Sequence, residues 1–412
     1  MPQATQTLVI IGASLAGAKA AETLRAEGFD GRVVLIGDEA RRPYERPPLS
    51  KEYLRGEKDF EAAAVHPAGF YDEHGIELHT STTVSAIDTP GRSVTLSSGK
   101  QISWDRLLLA TGATPRRLSI PGADLPGVLY LRSVEDTDRL RELIGPSAQV
   151  VVIGAGWIGA EVAASARQLG ASVSMVELAR VPLERVLGPE VGAVYRELHA
   201  SHGVDLHFGA GVEAIVGSKS AEAVRLSDGT VLSATVVVVG VGVVPRADLA
   251  VAAGLAVDNG VLVDEHLEAS VPGIFAAGDV ANAFHPGYGY RIRLEHWSAA
   301  LNQGPVAARA MLGQHVVYDR TPYFFSDQYD LGMEYRGWAP AFDQVVFRGD
   351  PAGGAFLCFW LHHGKVTAAM NANVWDAGEA IEALLQAERP VDPARLADPD
   401  IDLAELTGSS DT

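Results

Sequence analysis

The sequence predicts an α/β protein made of two Rossmann-like three-layer domains and a small α+β C-terminal domain. Three observations carry this reading. Short β-branched apolar runs lead straight into glycine-rich turns at two places, Thr7–Ile11 and Gln149–Ile153. Each turn is followed by a helical run, a second strand and an acidic residue, the order of a doubly wound unit. Beyond Thr321-Pro322 the composition shifts to aromatic-rich alternating strands, so a different architecture begins there.

The composition sets the outer bounds. At 412 residues the chain exceeds one compact core, and two or three domains are expected. It carries 33 Lys and Arg against 52 Asp and Glu, a net charge of −19, which argues against nucleic acid or an anionic membrane surface as partner. No apolar run approaches the roughly 20 residues of a spanning helix. Met1–Thr5 lead directly into a strand without a basic, cleavable leader, so a cytoplasmic protein is expected. Cys358 is the only cysteine, which excludes an intrachain disulfide, a paired-thiol redox centre and a cysteine-ligated cluster. It lies in the apolar run Ala355–Leu361 and reads as an inert core residue. No metal site is expected.

The first unit opens with Thr7–Ile11 and Gly12-Ala13-Ser14-Leu15-Ala16-Gly17, where Ser14 replaces the middle glycine of G-x-G-x-x-G. A helix runs to about Arg25, a strand covers Arg32–Ile36, and Gly37-Asp38-Glu39 follow. Pro43–Lys51 is stiffened by paired prolines into an extended or turn form, with Lys51 opening the next helix. From composition alone Lys51 reads as a solvated surface lysine. Residues 60–105 read as short strands and turns. Arg106–Ala110 is a strand ending in Thr111-Gly112, and Val134–Ile144 is a charged helix.

The second unit carries the full motif in Gly154, Gly156 and Gly159. The first glycine makes the tight turn, the second lets backbone approach a pyrophosphate, and the third packs helix on strand. The pyrophosphate would lie at the N-terminus of a helix over Ile158–Leu169. The strand Ser172–Val176 ends in Glu177, which either accepts from ribose hydroxyls or points to solvent and caps a loop. Ala223–Leu232 form a hairpin, and Thr235–Val239 end in Gly240-Val241-Gly242. This echoes residues 92–112, so the two units are related. Strands at Gly260–Val263 and Gly273–Ala277 precede Gly278-Asp279, and a helix covers about Ser298–Leu312. Five short strands, a helix at Ala377–Gln386 and an acidic tail from Asp392 end the chain. Residues 1–115 and 245–321 are expected to form one domain, 116–244 a second, and 322–412 the third.

Taken together, Gly12–Gly17, Arg46–Lys51, Ala110–Gly112, Gly154–Glu161 and Ala277–Asp279 resemble the two-dinucleotide flavoprotein reductases of glutathione-reductase-like fold. Within them, Tyr44-Glu45-Arg46-Pro47-Pro48-Leu49-Ser50-Lys51 and Phe325-Ser326-Asp327-Gln328-Tyr329 are similar to the NADH-dependent ferredoxin reductases of oxygenase systems, the putidaredoxin and biphenyl dioxygenase reductase type. The likeness runs from about residue 7 to the acidic tail.

That resemblance implies FAD on the first unit and NAD on the second. Gly12, Ala16 and Gly17 would meet the FAD pyrophosphate, Ser14 and Leu15 would be further FAD contacts, and Asp38 or Glu39 would meet its ribose. Arg46, Lys51, Val84, Ala110, Thr111, Gly112, Arg132, Gly278, Glu295, His296 and Trp297 match further FAD positions. Asp279 would accept from a ribityl hydroxyl or serve as a helix N-cap, roles that are compatible. The NAD set is Gly154, Gly156, Trp157, Ile158, Gly159, Glu161, Glu177, Arg180, Gly240, Val241 and Gly242. In the family Lys51 pairs with Glu161 beside the flavin, keeping both ionised and aligning hydride donor with acceptor; these two are the expected catalytic pair.

The implied activity is NADH oxidation with single electrons passed to a two-iron ferredoxin. That ferredoxin would feed a haem-thiolate monooxygenase or an aromatic-ring dioxygenase. Phe325 would either help dock it or belong to the core, with Arg291, Arg293 and Arg336 steering the encounter. A monomer or weak dimer is expected. The competing readings are a rubredoxin reductase, the NADH-oxidising part of a nitrite reductase, and a non-enzymatic NADH-sensing flavoprotein.

Overall fold

The computed structural model describes residues 6–407. Met1–Thr5, read above as lacking a leader, and the last residues of the acidic tail lie outside that range. The chain forms two compact units. One takes the chain through Pro47, Lys58–Thr114 and Val243–Arg320; the other takes Pro48–Glu57, Pro115–Gly242 and the chain from Thr321 onward. Among the described residues no helix is long and apolar enough to cross a membrane.

The first unit is built on a five-stranded parallel sheet in the order Ile274–Ala276, Arg106–Leu109, Thr7–Ile11, Arg32–Ile36, Ile76–His79. Its strands are near-continuous apolar runs because both faces are covered, as parallel sheets require. The helices Leu15–Ala26 and Trp297–Met311 cross closely on one face. Gly304 permits this approach, since a Cβ there would stand 2.4 Å from the Ala16 carbonyl oxygen.

The second unit repeats the plan. Its parallel sheet runs Asp205–Phe208, Ser172–Glu177, Gln149–Ile153, Val236–Val239, Val128–Tyr130. Four successive valines, Val236–Val239, are all buried beside the central strand. Each unit also carries a three-stranded antiparallel sheet, and both have the same register break, between Val84 and Ala86 and between Val212 and Ala214. The expected kinship of the two halves thus extends to an irregularity of pairing.

A five-stranded antiparallel sheet completes the second unit, ordered Tyr323–Gln328, Leu331–Gly337, Lys365–Ala372, Ala355–His362, Gln344–Asp350. One face packs on the helix Glu184–Ser201, where the buried Trp360 indole donates to the Leu187 carbonyl at 2.9 Å. The other face packs on the helix Gly378–Ala387 and on Leu396, Leu403 and Leu406. Burial on both faces accounts for the unbroken apolar run in Ala355–His362, Cys358 included.

Several expectations need correction. The helix Glu184–Ser201 has no counterpart in the sequence reading, because Gly188, with φ +81°, and Pro189 break its helical signal. Lys51 opens no helix: Pro47–Ser50 is a single 3-10 turn, followed by further turns up to the short helix Phe60–Ala63. Residues 60–105 also hold the helix Phe70–Glu73. Pro48–Glu57, assigned by sequence to the first domain, packs within the second unit. There Thr137 Oγ1 donates to the Leu49 carbonyl, Ser165 Oγ to the Ser50 carbonyl, and Tyr53 to Asp138. The acidic tail is ordered through Pro393–Ala397 and Leu403–Leu406, since its leucines are buried while its carboxylates cap these turns.

Candidate functional site

In each unit the glycine turn lies where a strand C-terminus meets a helix N-terminus, Thr7–Ile11 with Leu15–Ala26 and Gln149–Ile153 with Trp157–Gln168. In the first unit Gly12 has φ +117°, and a Cβ there would lie 2.0 Å from the Ala110 carbonyl oxygen. A Cβ on Gly17 would lie 2.0 Å from the Gly12 carbonyl oxygen. Both positions demand glycine. In the second unit Gly154 and Gly159 repeat the pattern, with Cβ positions 2.4 Å from the Gly240 carbonyl and 2.0 Å from the Gly154 carbonyl. Gly156 differs, because a Cβ there meets nothing within 4 Å. The middle glycine keeps open space rather than relieving a protein clash, which suits the close approach of a pyrophosphate. The same freedom explains why Ser14 is tolerated at the matching place.

The acidic residues after the second strands have unlike partners. Asp38 pairs with Arg246 at 2.7 Å; burial pushes its carboxyl up, but the arginine outweighs burial and leaves the pKa lowered. Glu39 receives the Arg46 guanidinium at 2.6 Å and the Tyr44 hydroxyl. Among the described residues Glu177 is held by backbone, from Ala155 N at 2.8 Å and Ala179 N at 3.1 Å. Its carboxylate therefore stands against the glycine turn and does not float in solvent. Arg180 is exposed and joined to Glu184, whose carboxylate also accepts from the Arg180 and Val181 backbone.

The remaining first-unit residues converge. Gly278 follows Ile274–Ala276, donates its N–H to the buried Gln303 at 2.8 Å, and leads into Asp279. Arg46 feels the charge of Asp279 as well as Glu39, which holds it firmly protonated despite burial. His296 is half-buried at the start of the helix Trp297–Met311; desolvation pushes its pKa down to about 4, against the pull of Asp279. Burial pushes the Glu45 carboxyl upward, against the pull of the nearby Trp297. Thr111 donates to the Arg246 carbonyl at 2.7 Å, beside Gly112. Val84 opens its strand, and Glu295 pairs with Arg293 at 2.6 Å.

Lys51 and Arg132, expected among the flavin contacts, belong to the second unit. Arg132 precedes the helix Val134–Leu143 and donates its N–H to Asp136, part of a capping box with Ser133. Lys51 Nζ lies 3.2 Å from Glu161 Oε2, and both side chains are only 5% exposed. Such a pair repays its desolvation only when further hydrogen bonds complete it. Here Ser50 Oγ donates to Oε2 and Ser326 Oγ donates to Oε1 at 2.7 Å. Glu161 sits one turn inside Trp157–Gln168, after Trp157, Ile158 and Gly159 of the first turn. Gly240 and Val241, just after the adjoining strand Val236–Val239, border the Gly154 turn, and Gly242 follows them at φ +96°.

Phe325 is not core: Phe324 is buried on the inner face, while Phe325 faces the other way, its ring centroid 5.4 Å from Lys51 Nζ. Two of the arginines expected to steer a partner are already committed. Arg293 is paired with Glu295, and Arg336 with Glu334 at 3.1 Å and Asn371 at 3.0 Å. Arg291 donates to the Val263 and Asn282 carbonyls. Sequence reasoning missed Arg246 and Gln303, and it quoted Tyr44, Ser50, Ser326 and Gln328 only within resembling segments, with no role for each. For the last two a signal existed, since polar residues occupy inward-facing positions of an alternating strand.

Comparison with known proteins agrees with this geometry. Residues 6–304 match the pyridine nucleotide-disulphide oxidoreductase family, and residues 323–407 match the reductase C-terminal family. The 5,5'-dehydrodivanillate O-demethylase ferredoxin reductase subunit of Sphingobium sp. is 39% identical over 406 residues, covering 97% of this chain and 98% of that protein. The ferredoxin reductase for the CYP199A2 system from Rhodopseudomonas palustris superposes with a TM-score of 0.94 at 38% identity, over 98% of this chain and 100% of the other. The covalent putidaredoxin reductase–putidaredoxin complex contains a chain matched at TM-score 0.94 and 36% identity, over 98% of each. With paired glycine turns, two parallel sheets and a C-terminal sheet all matched along its length, the chain belongs to the pyridine nucleotide-disulphide oxidoreductase family, among the flavin- and NAD(P)-dependent ferredoxin reductases.

Proposed function

We propose that this protein is an FAD-containing NADH:ferredoxin reductase that supplies a two-iron ferredoxin serving an oxygenase. The observation that carries this is the buried Lys51–Glu161 pair one turn inside the helix after the second glycine turn. Likeness to ferredoxin reductases over the whole chain supports the acceptor. A bound flavin supplies the change from a two-electron hydride donor to one-electron delivery.

The chain's own residues bind and orient. Gly12 and Gly17 keep the first turn tight enough for a flavin pyrophosphate at the N-terminus of Leu15–Ala26. Asp279 accepts from a ribityl hydroxyl, and Arg46 offsets the charges of Glu39 and Asp279. The start of Trp297–Met311 offers its positive end to an electron-rich ring edge. In the second unit Gly156 leaves room for the NADH pyrophosphate and Glu177 receives the adenosine ribose. Lys51 and Glu161 hold each other ionised, so that Glu161 orients the nicotinamide amide without exchanging a proton. The sole cysteine, Cys358, is buried in the C-terminal sheet and its thiol is pushed well up by burial, so no thiol takes part.

The test is anaerobic stopped flow with NADH, followed by steady-state reduction of cytochrome c with and without a two-iron ferredoxin. Rapid flavin bleaching, with cytochrome c reduced only when ferredoxin is present, is the expected result. A long-lived NADH complex that passes no electrons to ferredoxin would overturn the reading in favour of a sensor.

A further inference from the structure

Glu161 is the end point of a second set of hydrogen bonds that the hydride-transfer reading leaves unused. It runs through the Phe325–Tyr329 segment and the helix Glu184–Ser201, wholly inside the second unit. Ser326 and Gln328 are each 1% exposed and His199 is fully buried. Ser326 Oγ donates to Glu161 Oε1 at 2.7 Å, and Gln328 Nε2 donates to Ser326 Oγ at 3.2 Å. His199 Nε2 lies 2.9 Å from Gln328 Oε1, and the Tyr329 hydroxyl 3.3 Å from His199 Nδ1.

The direction of every bond follows from one end. An ionised carboxylate only accepts, so Ser326 spends its single proton on Glu161. Ser326 Oγ then has only lone pairs for Gln328, which must present its NH₂. The Gln328 oxygen therefore faces His199, whose Nε2 must carry the proton. Nδ1 is left as the acceptor for Tyr329. Each donor thus points toward Glu161, and such a chain polarises cooperatively. Burial favours the neutral imidazole this needs, pushing the His199 pKa down to about 4. Tyr329 sits at φ +58°, strained for a residue with a Cβ, and its ring stacks on His202 at 3.7 Å. The stack on His202 and the contact with His199 hold the hydroxyl over the helix.

We propose that Ser326, backed by Gln328, His199 and Tyr329, is a positioning residue that fixes the carboxylate plane of Glu161 for the NADH half-reaction. The two oxygens of Glu161 are thereby distinguished. Oε2 takes Lys51 and Ser50, Oε1 takes Ser326, and rotation about the carboxylate is blocked. Three buried polar side chains are costly unless paired, and here every polar atom of Ser326, Gln328 and His199 has a partner. The inference rests on the role given to Glu161 above.

The test uses the FAD-loaded protein and a double-mutant cycle of Ser326→Ala and Glu161→Gln. One readout is the rate of flavin bleaching by NADH. The other, independent of turnover, is the infrared carboxylate stretch of Glu161, assigned by its loss in Glu161→Gln. Ser326→Ala should slow bleaching by about ten-fold, the worth of one buried hydrogen bond, with reoxidation by ferredoxin unchanged. It should also shift the carboxylate band, and in the Glu161→Gln background it should cost nothing more. Equal slowing in both backgrounds, or an unmoved band, overturns the positioning role alone. A Glu161→Gln variant reduced as fast as wild type overturns the role of Glu161 and the network with it. Should Ser326→Ala fail to hold FAD, Gln328→Met removes the donor to Ser326 without touching Glu161 and should shift the band in the same sense; an unmoved band there overturns the proposal as well.

Discussion

The two nucleotide folds share sheet order, glycine turn and even a register break, yet they treat their acids differently. In the first, Asp38 and Glu39 are each met by an arginine, Arg246 and Arg46. In the second, Glu177 meets only backbone N–H groups among the described residues, and the nearby Arg180 is already held by Glu184. A scaffold alone therefore does not set how a ligand is held. Charges bound by side-chain partners suit a resident cofactor, whereas an uncompensated carboxylate suits one that must be recognised and released.

The comparison breaks most sharply at the glycines. Gly12→Ala and Gly159→Ala each force a Cβ into a carbonyl oxygen, so each should lose about 4 kcal/mol or more in urea unfolding. Gly156→Ala should unfold within about 1 kcal/mol of wild type yet bind NADH at least about ten-fold more weakly, because only the ligand's space is filled. A Gly156→Ala protein as unstable as Gly159→Ala would show that the middle glycine serves the fold.

Cofactor choice comes next. Glu177 should favour NADH over NADPH by about 10²–10³-fold in kcat/KM, roughly 3–4 kcal/mol. Glu184→Gln releases Arg180 and should raise use of NADPH by about ten-fold, with NADH little changed. An unchanged preference in Glu177→Ala would remove Glu177 from ribose recognition.

Acid should unsettle both units. His199 and His296 are held neutral with pKa near 4 against 6.5 in an unfolded chain. Between these values the unfolded chain binds protons that the fold refuses, so stability falls as pH drops through 6.5 toward 4 and the deficit is complete below. Each histidine contributes on the order of 3 kcal/mol at the limit. Urea midpoints of wild type and His199→Gln at pH 7 and pH 4.5 check this; equal acid sensitivity in both proteins would remove His199 from the account.

The smallest effects concern the first fold. Asp279→Ala should weaken FAD by about 1–3 kcal/mol in equilibrium titration, by orphaning a ribityl hydroxyl. Ser14→Gly should change FAD affinity by less than about 0.5 kcal/mol, since the Ser14 side chain caps no helix bond. A large loss there would mean that the serine is a ligand.

Much of this was legible in the residues themselves. Period-two and continuous apolar runs marked the strands, and glycine spacing marked both turns, because backbone sterics act locally. The role expected of Glu161 came from the family resemblance and not from its spacing. The helix Glu184–Ser201 was not legible, since Gly188 and Pro189 interrupt its pattern and only packing beneath Trp360 holds its turns in line.

The sequence by itself determined the two parallel-sheet units, the glycine turns and the absence of thiol chemistry. Those follow from local sterics and from a single count. Tertiary structure alone decided that Pro48–Glu57 joins the second unit, that Arg246 rather than solvent answers Asp38, and that Ser326 reaches Glu161. These partners lie far apart along the chain. A hydrogen bond depends on where the folded backbone delivers both groups, and no local pattern encodes that.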